Sequence, residues 1–177
     1  MKNPPEIGIE PVCEWFTQAV LDVSETVFGL GAYPAGTADG VTSQDATLVA
    51  CIGIRGECSL EVAMYFPQSL AARLARLSLD VPEAELDEKM VEDVAGEFSN
   101  MAAGAVKSRL SDLEVPCNMT VPRVVRLTPD TADSTQKVKA ALAVIRGGAG
   151  PRNPSSAPPT RLFFQMGEAH LYSDLYF

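Results

Sequence analysis

The first helical pattern of apolar positions lies near the start of the chain. Apolar residues recur there at intervals of three and four, which predicts an amphipathic helix over residues 10–28. Gly29 and Gly31 follow directly, and glycine commonly ends a helix. The apolar positions are Val12, Phe16, Val20, Val23 and Val27. The next segment, 33–43, is rich in Gly, Ala and Thr and is predicted to be a loop.

Two alternating runs follow and predict a β-hairpin. Residues 46–55 and 60–66 place apolar side chains at every second position, the pattern of a strand, and Gly56 and Glu57 form the turn. Pro67 then opens a short helix, since proline is favoured at a helix start. The predicted buried side of this helix consists of Leu70, Leu74 and Leu77.

The middle of the chain gives less uniform signals. A long second helix is predicted from Pro82 to Leu113. Residues 117–127 are rich in Val and Thr and predict a strand interrupted at Pro122, as in an edge strand or bulge. Residues 135–146 alternate, which favours a strand, although their Lys and Ala content would also allow a helix. The alternating positions are Val138, Ala140, Leu142 and Val144.

The chain ends in a predicted loop and a predicted hairpin. Residues 147–160 are rich in Gly, Pro and Ser, and we expect them to form a mobile loop. Residues 161–166 and 169–177 predict a closing hairpin around Gly167 and Glu168. Residues 1–177 are expected to form a single α+β domain, in which two long helices pack on a mainly antiparallel sheet.

Composition narrows the functional classes. Hydrophobic residues make up 46% of the chain, which argues against disorder. The 14 basic and 23 acidic side chains give a formal net charge of −9, which argues against nucleic-acid binding. No stretch approaches the roughly 20 apolar residues of a membrane-spanning helix, and the first residues do not resemble a signal peptide. We therefore expect a cytoplasmic protein that acts neither on nucleic acid nor at a membrane.

Residue types that usually carry metal or nucleophilic chemistry are few. The four cysteines are not clustered and His170 is the only histidine, so we expect free, partly buried thiols and no metal site. His170 lies in an alternating run and is interpreted as structural. The serines considered as nucleophiles, Ser59, Ser99 and Ser108, have no histidine near them in the sequence, which disfavours a serine hydrolase. Glu92 and Asp93 are adjacent on a helix and diverge by about 100°, so they do not form a carboxylate pair.

The long helix carries two stripes of side chains. At about 100° per residue, one apolar stripe is predicted to face the core. It comprises Met90, Val94, Phe98, Met101 and Ala105. A second stripe lies beside it and comprises Asp93, Glu97, Asn100, Gly104 and Lys107. Glu97 and Asn100 are three residues apart, so their side chains are neighbours.

Two members of the second stripe suggest more than a solvated surface. Glu97 has no Lys or Arg three or four positions further on, so its carboxylate is free to meet a cation elsewhere. Gly104 costs up to about 1 kcal/mol relative to alanine in a helix interior and is tolerated best where a strand or a docked partner approaches the backbone. A solvated surface is nevertheless the commoner explanation for such a Glu and Asn, and also for Lys107. Both explanations stay open at this point.

The segment Gly96-Glu97-x-x-Asn100-Met101-x-x-Gly104 resembles the helix motif of the CheC/CheX/FliY response-regulator phosphatases. The order of the first helix, the hairpin, the short helix and Val121-Pro122-Arg123-Val124 is similar to the CheX branch. The resemblance covers most of residues 10–127 and, weakly, the last hairpin. Family members with two motifs carry a second E-x-x-N, whereas the first helix here has Glu14 followed by Thr17. A single site and a CheX-type homodimer are therefore implied.

The resemblance also implies an activity and a partner. Such a protein removes the phosphoryl group from the phospho-aspartate of a CheY-like response regulator. Asn100 would orient the attacking water and Glu97 would pair with the regulator's lysine, while Asp93, Gly104 and Lys107 would belong to the docking surface. The protein needs no cofactor of its own, because Mg²⁺ and the phosphoryl group belong to the partner. The alternatives are a non-catalytic CheX-fold module that binds a response regulator or a chemotaxis or flagellar component, and a purely structural homodimer.

Overall fold

A computed structural model describes residues 7–36, 46–147 and 158–177. These residues form four α-helices and seven strands, which confirms the α+β class. The helices are α1 (Ile9–Phe28), α2 (Gln68–Leu79), α3 (Glu88–Asp112) and α4 (Thr131–Ile145), with a short 3₁₀ helix at Glu83–Glu85. The strands are β1 (Ala32–Ala35), β2 (Ala46–Gly56), β3 (Leu60–Pro67), β4 (Cys117–Met119), β5 (Arg123–Arg126), β6 (Thr160–Met166) and β7 (Ala169–Tyr176).

The strands form one sheet in the order β1-β6-β7-β3-β2-β4, and β5 also pairs with β2. Every strand pair of the described residues is antiparallel. Both predicted hairpins, β2–β3 and β6–β7, are confirmed, and Gly167 takes a positive φ of 63° in the second turn. The predicted interruption at Pro122 is also confirmed, because the chain forms two short strands on either side of it.

Helices cover both faces of the sheet around β2. The side chains of Leu48, Ala50, Ile52 and Ile54 join the main core under α1, α2 and α3. The opposite face of the strand contributes Val49 and Cys51 to a second, smaller core under α4. Glu61 secures this second layer, since its nearly buried carboxylate pairs with Arg55 at 2.9 Å and with Arg146 at 2.6 Å.

Two predictions of secondary structure are wrong. The predicted strand 135–146 is the C-terminal part of helix α4 and its cap residue Arg146, because the buried side chains of this helix recur at intervals of three and four. Asp130 caps the start of the helix by accepting from two backbone N–H groups. Those buried side chains are Ser134, Val138, Ala141, Leu142 and Ile145. The predicted loop 33–43 begins with strand β1, which pairs with β6, and its remainder from residue 37 lies outside the described residues. Most of the predicted loop 147–160 lies outside them as well, and Thr160 already belongs to β6.

Details of three helices also differ from the prediction. Val27 and Leu77, predicted on the apolar sides of their helices, are 46% and 47% exposed. The buried side chains at the end of α1 are Ser24 and Phe28, which leaves Val27 on another side of the helix, and the buried residues of α2 stop at Ala75, before Leu77. The long helix begins at Glu88 instead of Pro82, and Asp87 caps it by accepting from the N–H of Met90 at 2.8 Å. None of the helices in the described ranges is long and apolar enough to cross a membrane.

Candidate functional site

Helix α3 is packed on three sides, against α1, α2 and the sheet. The predicted apolar stripe is therefore partly wrong: Met90 and Ala105 are exposed and Met101 is only half-buried. The buried face is wider and rich in small residues, which a hydrophobic pattern does not single out. It comprises Val91, Val94, Ala95, Gly96, Phe98, Ser99, Ala102, Ala103, Val106 and Leu110.

The second predicted stripe faces away from this buried side. We call Asp93, Glu97, Asn100, Gly104 and Lys107 the α3 stripe. Asp93 and Glu97 are exposed, whereas the other three members are half-buried. The structure brings Glu97 and Asn100 together, since the Asn100 Nδ2 donates to the Glu97 Oε2 at 3.5 Å, a long contact at the limit of a hydrogen bond. Among the described residues, Glu97 forms no ion pair.

Helix α1 forms one flank of the α3 stripe. A groove of about 280 Å³ separates the two helices. Its lining residues are Glu14, Trp15, Gln18, Ala19, Asp22, Ala105 and Arg109. Glu14 therefore lies on the same side of the molecule as α3, although Thr17 stands where a second motif would need an asparagine. Sequence reasoning did not identify Trp15 or Arg109, which no motif distinguishes.

Strands β4 and β5 form the other flank. Arg126 of β5 holds this flank to the first turns of α3 through Glu92 at 2.7 Å and Glu88 at 3.5 Å. Between these strands, residues 120–122 form what we call the β4–β5 loop. Sequence reasoning assigned the segment Val121 to Val124 only to a strand and gave no sign that it lies beside α3.

The two glycines of α3 differ in their surroundings. A Cβ added at Gly96 would lie 3.3 Å from Val124 Cγ2, so close packing against β5 explains this glycine. A Cβ added at Gly104 would lie 3.8 Å from Met119 Sδ, an ordinary van der Waals distance. The packing of the described residues therefore favours glycine at 96, where a Cβ would need Val124 to shift, and places no such demand at 104.

Nucleophilic thiol chemistry is disfavoured. Burial raises the pKa of all four thiols, that of Cys51 to about 12, so they stay protonated at neutral pH. At Cys117 the ammonium of Lys107 opposes this effect but is the smaller cause. Ser99 and Ser108, two of the serines considered as nucleophiles, donate to carbonyl groups of their own helix. No group of three His, Cys, Asp or Glu side chains in the described ranges could hold a metal ion.

The Glu97–Asn100 pair lies on the convex surface of a helix and not inside a cavity. It offers a carboxylate, which can bind a cation, and a carboxamide, which can both donate and accept hydrogen bonds. Such a surface suits a macromolecular substrate that brings its own reactive group. His170, by contrast, is half-buried on β7 opposite Gln165, and β3 and β2 separate this strand from β4 in the sheet.

Comparison with known proteins gives a family and a fold. A family model described as "Chemotaxis phosphatase CheX" matches residues 48–145. No curated protein matches the sequence significantly. A chemotaxis protein CheX from Vibrio vulnificus is similar in structure, with a TM-score of 0.69, 17% identity, and coverage of 97% of this chain and 99% of that chain. A chemotaxis protein CheX from Desulfovibrio desulfuricans is similar with a TM-score of 0.64 and 15% identity, and the match covers 93% of this chain and 97% of that chain. A chain of a CheX–CheY–BeF₃–Mg²⁺ complex from Borrelia burgdorferi is similar with a TM-score of 0.62 and 13% identity, and the match covers 93% of this chain and 96% of that chain.

Proposed function

The chain belongs to the CheX family of chemotaxis phosphatases, and from this premise we propose that it dephosphorylates the phospho-aspartate of a CheY-like response regulator. The observation that carries the proposal is the adjacency of Glu97 and Asn100 on an accessible face of α3. The similar Borrelia burgdorferi structure contains CheX together with CheY, BeF₃ and Mg²⁺, which supports the choice of partner class.

Asn100 is the proposed catalytic residue that touches the reacting atoms. Its carboxamide can hold a water molecule in line with the phosphorus, and an amide needs no shifted pKa for this task. Phosphoryl transfer depends mainly on positioning and on charge stabilisation. Mg²⁺ and the phosphoryl group belong to the regulator in this scheme, so the chain needs no cofactor of its own.

Glu97 is proposed to bind the regulator's active-site lysine. Its carboxylate is exposed and has no cationic partner among the described residues, so it can pair with an incoming ammonium. The Glu97–Asn100 contact would then give way, which costs little because it is long in the free protein. Glu97 thus fixes where the regulator's active site lies relative to Asn100.

The remaining members of the α3 stripe are proposed docking residues. Asp93 and Lys107 lie on either side of the Glu97–Asn100 pair and offer opposite charges to the partner. Gly104 offers half-buried helix backbone without a side chain, beside Asn100 and next to Met119. A homodimer is part of the proposal, and light scattering of the purified protein measures it directly.

The proposal is tested by phosphate release from a phosphorylated CheY-like regulator. Asn100→Ala should slow release on the order of 100-fold, because the water loses its positioning group. Asn118→Ala is the matched control, since Asn118 is an exposed asparagine on β4 and lies outside the α3 stripe. If Asn100→Ala released phosphate as fast as the unmodified protein, the role of Asn100 would be wrong. Binding of the phosphorylated regulator without faster phosphate loss would identify a non-catalytic binding module instead.

A further inference from the structure

The β4–β5 loop runs alongside the turn of α3 that carries Asn100. Met119, the last residue of β4 before the loop, faces Gly104, and Pro122, at the end of the loop, faces Gly96. Asn100 lies four residues from each glycine, so it is midway between them along the helix and around it. The two glycines are separated by a rise of about 12 Å. Thr120 and Val121 therefore pass beside Asn100.

The loop is held in place at both ends. The Thr120 N–H donates to the Gly53 carbonyl at 2.9 Å, and the Gly53 N–H donates to the Thr120 hydroxyl oxygen at 2.9 Å. Pro122 fixes its own φ, and the strands on both sides pair with β2. A side chain displayed by this loop is therefore pre-organised, which lowers the entropic cost of binding.

Val121 is 83% exposed, more than any other large apolar side chain of the described residues. A single exposed valine is ordinary on a protein surface, but this one lies on a fixed loop beside the candidate catalytic asparagine. The loop and Met119 carry no charge, although the chain as a whole has a net charge of −9. Depletion of charge is typical of the buried centre of a protein–protein interface.

A regulator that reaches Asn100 has to cover Val121. Interfaces of standard size bury about 800 Å² per partner, which corresponds to a patch of about 16 Å radius. Thr120 and Val121 lie well inside such a patch centred on Asn100. The partner's site in this scheme holds a phospho-aspartate and the oxygen ligands of Mg²⁺, so a chain with a net charge of −9 gains little from general charge attraction, and apolar contact is expected to supply affinity.

We propose that Val121 is the apolar anchor of the docking surface and packs against an apolar side chain next to the regulator's phosphorylation site. This inference rests on the proposed function and adds a specificity-determining residue outside helix α3. Val121 contributes to binding of the regulator and not to the chemical step.

The test separates binding from turnover. Val121→Ser is compared with Val144→Ser, a matched control because Val144 is a valine exposed to 53% on α4, on the opposite face of the sheet. Binding is measured by calorimetry with a CheY-like regulator carrying beryllofluoride and Mg²⁺, and turnover by phosphate release at varied regulator concentration. Thermal melting of each variant checks the fold.

Val121→Ser should raise Kd and KM about tenfold, which corresponds to about 1.4 kcal/mol, with kcat unchanged. Val144→Ser should change neither constant. An unchanged Kd in Val121→Ser, or a fall in kcat at constant KM, would show that Val121 is not an anchor for the regulator. If Val121→Ser has no effect on binding but Asn100→Ala is inactive in the same series, the proposed function stands and only the role of Val121 is wrong. If the unmodified protein neither binds nor dephosphorylates CheY-like regulators, the proposed function fails and the anchor fails with it.

Discussion

Replacing Gly104 by alanine should make the protein more stable and its docking weaker. Alanine is favoured over glycine in a helix interior by about 0.5–1 kcal/mol. The new Cβ would lie 3.8 Å from Met119 Sδ, so it meets no clash that would offset this gain. For a chain of this length, the melting temperature should rise by about 2–4 °C per kcal/mol.

The matched variant is Gly96→Ala, the same substitution two turns earlier on the same helix. There the Cβ would lie 3.3 Å from Val124 Cγ2, at a strand held to α3 by ion pairs. Overpacking of this kind costs about 1–3 kcal/mol, which cancels or exceeds the propensity gain. Gly96→Ala should therefore be less stable than Gly104→Ala by about 1–3 kcal/mol.

Chemical denaturation gives both free energies of unfolding, and calorimetry with a beryllofluoride-activated regulator gives the Kd values. If a partner packs on the backbone at Gly104, the added methyl should raise Kd about tenfold despite the gain in stability. A Gly104→Ala protein less stable than the unmodified one would refute the packing argument. Unchanged Kd would show that the partner does not require glycine at this position.

Two further predictions concern the core. Ser173 is buried and its hydroxyl has no hydrogen-bond partner among the described residues, so Ser173→Ala should stabilise the protein by up to about 1 kcal/mol. Ser99→Ala is the control, because it removes a hydroxyl that is hydrogen-bonded, and it should not stabilise the protein. The melting temperatures of the two variants test this prediction. Burial raises the pKa of Cys51 from 9.0 to about 12, so the unfolded chain loses this proton first as the pH rises. The thiol's contribution to stability should therefore be complete below pH 9 and be lost between about pH 9 and 12, and Cys51→Ala should show a shallower decline in urea titrations across this range. An identical pH profile for the two proteins would contradict this assignment.

The amino-acid sequence alone determined the elements with strong local signals. Helix α1 follows from an uninterrupted helical period and is ended by Gly29, which takes a positive φ of 61° in the structure. The two hairpins follow from alternating runs joined by glycine turns, and the break between β4 and β5 follows from Pro122. The separation of the α3 stripe from the buried side also follows from helical geometry, because 100° per residue fixes which side chains share a face.

Tertiary structure decided the elements whose pattern fits more than one structure. In residues 135–146, Val138 and Leu142 satisfy both a period of two and a helical period, and only the burial of Ala141 and Ile145 against β2 and β3 selects the helix. The buried face of α3 was mislocated because contact with α1, α2 and the sheet buries alanines and serines that carry little hydrophobic signal.

The surroundings of the α3 stripe could likewise be read only from the folded chain. Sequence patterns place Glu97, Asn100 and Gly104 side by side, since these residues are neighbours on one helix. They do not show that β4 and β5 both pair with β2, which brings Met119 to Gly104 and the β4–β5 loop beside Asn100. Local periodicity determines which side chains a helix exposes, whereas long-range strand pairing determines which residues lie next to them.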